Sequence, residues 1–214
     1  LARYNYIGIR HLVTQGCIFD RELLYDKFPN QYLPFDFDTF FNNQCTFEMV
    51  TTNCQTGQAM YLSEKYDRQR ALDIVRASSS LPYVSKIVEV DGIPMLDGGI
   101  VDSIPVQRAI DMGHPFNVVV CTRNKGYRET GRDYKIPRFI YRNYPRLRVA
   151  LSRRIAAYNE QLEMIDRMEA AGQIICIRPE RPMEVTRMAK DTAKLERLYE
   201  EGFALGEKFC MSVD

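Results

Sequence analysis

The sequence predicts an α/β protein with a largely parallel sheet and hairpin embellishments. Three observations carry that expectation. Two short apolar runs, "FNVVVCTR" (116–123) and "QIICIRP" (173–179), have the length and continuity of strands buried on both faces. Segments with apolar residues at helical spacing alternate with such runs, the pattern that builds βαβ layers. Two further stretches alternate and then turn tightly at glycine, as hairpins do. The composition agrees: 45% hydrophobic and 27% charged residues supply a sizeable core and exclude a disordered chain. The formal net charge of +1 gives no whole-chain attraction for a polyanion, and no apolar run approaches the roughly 20 residues of a membrane span.

Taken in order, "FDRELLYDKF" predicts a short helix with Asp20 as its N-cap. "FDFDTFFNNQ" predicts a second helical turn, its aromatic residues packing rather than binding a ligand. Residues 46–53 and 58–63 form a hairpin around Cys54–Gly57, with Gly57 in the left-handed conformation. "DRQRALDIVRASSS" reads as a helix capped by Asp67 and stopped by the serines and Pro82. "KIVEV" and "IPML" form a second hairpin around Asp91-Gly92. "PVQRAIDMG" is a helix opened by Pro105 and closed by Gly113. Residues 124–136 are polar and glycine-bearing, hence a surface loop. A long helix follows over about 145–171, then the strand "QIICIRP", then an amphipathic terminal helix over 189–209 with Leu195, Leu198, Phe203 and Leu205 as its stripe.

Six cysteines are scattered with no C-x-x-C spacing, which argues against a zinc or redox motif and for a reducing compartment. Cys121 and Cys176 lie within apolar runs and read as small core residues.

The chemistry concentrates in "IPMLDGGIVDSIPV". Asp97 follows the strand "IPML", and ligands of open α/β sheets collect at strand carboxyl ends. Gly98 and Gly99 permit a tight turn and close backbone approach. Partial burial against Met95, Leu96 and Ile100 would raise the basicity of the carboxylate. Read alone, Asp97 is a turn residue bonding its own loop, and Asp102 an exposed turn residue or the cap of the following helix.

The segment "ASSSLPYVSKIVEVDGIPMLDGGIVDSIPVQRAIDMG" resembles patatin-like phospholipases. The residues that carry the resemblance are Ala77-Ser78-Ser79-Ser80-Leu81-Pro82, Asp97-Gly98-Gly99 and Ile104-Pro105-Val106. It implies a three-layer α/β fold and an acyl-ester hydrolase without a cofactor or metal. Such an enzyme uses a Ser–Asp dyad, with Asp97 at the position of the base and Gly98 and Gly99 supporting it. It also implies residues 1–123 as the C-terminal part of the hydrolase domain and 124–214 as an appended helical extension. Only two histidines are present, His11 and His114, so a histidine-free mechanism suits the composition.

The nucleophile is absent from these residues. None of the eight serines has glycine at both −2 and +2, and no Gly-rich oxyanion loop is visible. In the family both precede the segment present here, and "LARYNYIGIR" reads like mid-protein sequence. The expectation is therefore a chain that carries the base and is inactive alone. Ser78, Ser79 and Ser80 read as helix-end turn chemistry rather than as a substitute nucleophile.

The stretch 135–154 holds seven basic residues and no acidic one, with aromatics interleaved. It is read either as a solvated face whose arginines pair with acidic helices or as a peripheral membrane contact through Lys135, Arg138, Arg142, Arg146 and Arg148. Nucleic acid is not an expected partner, because the rest of the chain is not basic. The rival functions are a non-catalytic lipid- or protein-binding module built on this stretch, and metal-assisted phosphoryl transfer at Asp97 and Asp102. The localisation expected is cytoplasmic, with contact at the membrane surface.

Overall fold

The computed structural model describes residues 6–131, 136, 137, 139–186, 189 and 191–211. They fall into two units. The first draws on the chain up to Ser103 and again on the stretch that ends at Ala157; the second holds Ile104–Gly131 and the chain from Tyr158 onward.

In the first unit, strands β1 (Met49–Asn53), β2 (Ala59–Leu62), β3 (Val88–Val90) and β4 (Ile93–Asp97) form one sheet in the order β2-β1-β4-β3. All of its pairings are antiparallel, which corrects the expectation of a largely parallel sheet. The physical reason lies in the connections. Both predicted hairpins form, and short turns can join only antiparallel neighbours. Asp91 and Gly92 both take positive φ, 54° and 74°, as a two-residue hairpin turn with the twist of its strands requires. The hairpins then join through β1 and β4, with Thr51 opposite Asp97 and Asn53 opposite Met95.

Adjacent residues of β4 serve opposite faces of this sheet. Met95 packs with Met49, Val88, Val90 and the Ile74 and Ala77 side chains of helix α3 (Arg68–Ser78). Leu96 packs with Cys54, Ile100 and the Leu147 and Leu151 side chains of the long helix at Pro145–Ala170. Each fully buried Leu, Ile or Met side chain among them contributes about 1.5–3 kcal/mol. The buried hydroxyls are satisfied: Thr52 donates to the Asp97 carbonyl at 2.8 Å and Thr51 lies 3.2 Å from the Met95 sulfur. Helix α3 is capped as predicted, Asp67 accepting from the Gln69 and Arg70 amides.

Earlier in the chain, α1 (Ile9–Gln15) and α2 (Phe37–Asn42) flank a π-helix at Leu23–Tyr32. Asp20 accepts from the Leu23 amide at 3.1 Å, as expected of a cap. The helix is nevertheless wider than the α-helix the sequence predicts. Pro29 within it has no amide proton to give an α-type bond, and the Leu33 amide reaches back five residues to the Phe28 carbonyl. The phenylalanines of α2 pack edge to face on one another, Phe40 against Phe35, Phe41 and Phe47.

In the second unit, β5 (Asn117–Val120) runs parallel to β6 (Ile174–Ile177), with Val119 opposite Cys176. Val106 of α4 (Val106–Asp111), Val119, Cys121, Ile165 and Ile174 form the core. Helix α5 (Pro145–Ala170) contributes its turns from Tyr158 onward to this unit. The expectation that β5 is buried on both faces does not hold: Val119 is buried, while Val118 and Val120 are 51% and 73% exposed. A two-stranded sheet has one core side, so alternate residues of its apolar run face outward. The terminal helix α6 (Thr192–Cys210) forms, capped by Asp191, with no fully buried residue among those described. No helix is long and apolar enough to cross a membrane among the described residues.

Candidate functional site

Asp97 is the last residue of β4, and a short 3-10 turn, Gly98–Ile100, follows immediately. Its backbone is fastened on both sides. The Asp97 amide donates to the Ser80 carbonyl at 3.0 Å, and its own carbonyl receives the Thr52 hydroxyl. The half-buried carboxylate accepts the Gly99 amide at 2.7 Å through Oδ1. Strand pairing, the serine segment and the glycine loop thus fix one side chain at the end of a strand.

The two glycines serve different ends. A Cβ on Gly98 would lie 2.3 Å from the Val50 carbonyl oxygen, so the loop passes directly over β1 and only glycine fits. A Cβ on Gly99 would meet no backbone. It would come within 3.0 Å of Asp97 Oδ1 and 3.5 Å of Ser103 Oγ. The second glycine keeps the space beside the carboxylate open. The Gly99 carbonyl receives two donors, Ser103 Oγ at 3.0 Å and Arg154 Nε at 3.1 Å, which hold the turn from its far end. Sequence reasoning had not singled out Thr52, Ser103 or Arg154 for this loop. Arg154 stood out only as one charge in a basic run, and the 55 residues between it and Gly99 leave no local signal.

Asp102 is neither a plain exposed turn residue nor a helix cap. It is half-buried and accepts the Tyr61 hydroxyl at 2.6 Å, while Pro105 occupies the capping position of α4. The Asp97 carboxylate thus meets the Gly99 amide, and Asp102 meets the Tyr61 hydroxyl. Ser79 Oγ bonds the Val75 carbonyl at 2.7 Å and Ser80 Oγ the Arg76 carbonyl at 2.7 Å, the helix-end chemistry expected of that run. His114 is exposed, and His11 lies 3.9 Å from Asp20.

Residues 2–110 match the patatin-like phospholipase family, a stretch that takes in the serine segment, the Asp97 loop and the start of α4. The chain belongs to the patatin-like phospholipase family. In this patatin-like chain, residues 144–213 also match a domain of unknown function (DUF6363), which covers α5, β6 and α6. Over 116 residues the chain is 34% identical to "Uncharacterized protein YjjU" of Escherichia coli (strain K12). That alignment covers 51% of this chain and 31% of the relative, so the shared part is about a third of the relative's length.

Of the predicted basic residues, Lys135 and Arg138 lie outside the described residues. Arg148 donates to the Ile136 carbonyl at 3.1 Å, and Arg154 is engaged at Gly99. Arg142, Arg146 and Arg153 are exposed and make no ion pair among the described residues, so the expected pairing with acidic helices does not extend to them.

Proposed function

We propose that the protein containing this chain hydrolyses acyl esters of lipids through a serine–aspartate dyad in which Asp97 is the base. The observation that carries this reading is the Asp97–Gly99 geometry: a carboxylate at a strand end, oriented by a backbone amide, with glycine leaving room beside it. In the reaction, a serine Oγ attacks the ester carbonyl as its proton passes to the Asp97 carboxylate. The protonated Asp97 then returns that proton to the departing alcohol. Water, deprotonated in turn by Asp97, releases the acyl group as a carboxylic acid and restores the serine. The serine and the amides that stabilise the oxyanion belong to a segment outside these 214 residues, and the chain alone is inactive.

The patatin-like part extends over residues 1–123 in this reading, with 124–214 a C-terminal extension. The patatin-like part has a three-layer arrangement. Support comes from Met95 and Leu96, which face different helices from one strand. The protein works in the cytoplasm and meets the membrane surface through Arg142, Arg146 and Arg148 together with Lys135 and Arg138. A second reading, a non-catalytic lipid-binding module, draws on Arg142, Arg146 and Arg153, which are exposed and make no ion pair among the described residues.

A fluorophosphonate probe tests the proposal. The 214-residue chain should remain unlabelled, while a longer form of the same protein that includes a glycine-bracketed serine should label and hydrolyse p-nitrophenyl acyl esters. Labelling of the short chain, or a silent longer form, would remove the dyad.

A further inference from the structure

Beside the Asp97 loop, the first unit contains an open cleft of about 360 Å³. Ile100 and Val101, three and four residues past Asp97, form one wall. Helix α5 forms the other through Val149 and Ala150, flanked by Arg146 and Arg153. The size falls within the roughly 300–1,000 Å³ of small-molecule sites. Its chemistry is divided: a strip of aliphatic side chains between two cations. Arg146 and Arg153 are seven residues apart, so they share one helix face about 10.5 Å apart along the axis. Among the described residues, no acidic side chain lines the cleft and neither guanidinium has an ion-pair partner. Arg146 also lies in the first turn of α5, where the helix dipole favours an anion.

We infer that this cleft binds an anionic amphiphile, with a phosphate group on Arg146 and Arg153 and the first carbons of an acyl chain on Val149, Ala150, Ile100 and Val101. Guanidinium presents paired donors that match phosphate oxygens, and the aliphatic wall removes hydrocarbon from water. A bare anion would gain nothing from the wall, and a neutral lipid nothing from the cations. The cleft opens beside the loop that holds Asp97, so it serves as a headgroup subsite for phosphate-bearing esters. That role rests on the function proposed above, whereas binding to the cleft does not.

The test is calorimetry on the 214-residue chain, which requires no turnover. The probes are dihexanoyl phosphatidate below its micelle concentration, dihexanoylglycerol and inorganic phosphate. Phosphatidate should bind saturably, and the other two at least about tenfold more weakly, as expected from losing one set of contacts. Arg146→Gln and Arg153→Gln should each weaken phosphatidate binding about tenfold. Val149→Glu, at a position 54% exposed, should abolish it without a change in circular dichroism. Phosphate binding as tightly as phosphatidate would reduce the cleft to a simple anion patch and overturn the inference. Unchanged affinity in both arginine variants would overturn it as well. Loss of hydrolysis in an Asp97 variant of the longer form, with phosphatidate binding intact, would support both readings. Absent phosphatidate binding in a longer form that still hydrolyses esters would overturn this one alone.

Discussion

Asp97 Oδ1 accepts the Gly99 amide at 2.7 Å, and a Cβ on Gly99 would stand 3.0 Å from that same oxygen. The amide that orients the carboxylate and the gap that leaves it accessible therefore come from one residue. Gly98 does something different, letting the chain cross the Val50 carbonyl. Two consecutive glycines thus answer two independent steric demands, one structural and one belonging to the site.

This division makes Asp97→Asn an informative variant. The amide oxygen of Asn still accepts from Gly99, so the loop keeps its form while the proton acceptor is lost. In a longer, active form of the protein, ester turnover should fall by on the order of 10²–10⁴. The urea midpoint should hardly move. Turnover within a factor of two of wild type would exclude Asp97 as the base.

The two glycines should also separate experimentally. Gly98→Ala forces a Cβ onto the β1 backbone and should cost about 3 kcal/mol in chemical denaturation. Gly99→Ala meets only side-chain atoms and should cost less than about 1 kcal/mol while lowering kcat in the active form. The reverse ranking would show that the loop does not pass over Val50 as described.

Much of this site was legible because its signals are local. Asp91-Gly92, Gly57, the Asp67 cap and the Asp-Gly-Gly sequence each specify backbone geometry within a few residues, and each is found where expected. The sheet's polarity was not legible. It depends on Thr51 meeting Asp97 across more than forty residues, and alternation within a strand is the same whichever way its neighbour runs. Burial of "FNVVVCTR" was overestimated for a related reason. An apolar run records that a strand exists, whereas how many of its faces are covered depends on elements elsewhere in the chain. The fixing of Gly99 by Arg154 joins residues 55 apart and leaves no periodicity to read.

Acid should loosen α3 through Glu64. One carboxylate oxygen of Glu64 accepts the Asp67, Tyr66 and Lys65 amides at 2.7–3.0 Å, and the other meets Arg70 at 2.8 Å. The Asp67 and Tyr66 amides, with Arg70, pull this carboxyl from the usual 4.5 to about 2. A folded-state value below the unfolded one means stabilisation that is complete above about 4.5 and lost as the pH falls toward about 2. Glu64→Gln should therefore destabilise by about 1–2 kcal/mol at neutral pH. Its urea midpoint should converge with wild type as the pH falls through that window. Parallel curves down to pH 2 would rule out the charged cap.

Cys176 should be an unusually reactive thiol. Its sulfur lies 3.7 Å from that of Cys121, and Arg178 follows two residues later on the same chain. The hydrogen bond with Cys121, aided by the Arg178 charge, lowers Cys176 to about 7 against the opposing effect of burial. The same hydrogen bond and burial push Cys121 upward. Burial alone pushes Cys54 to about 12. Because the thiolate is the nucleophile, iodoacetamide alkylation of Cys176, followed residue by residue by mass spectrometry, should rise through about pH 7. Cys54 should stay unmodified across that range. Cys121→Ala removes the sulfur that shares this hydrogen bond and should move the Cys176 midpoint to higher pH. An unchanged midpoint would mean that the two sulfurs do not share a proton.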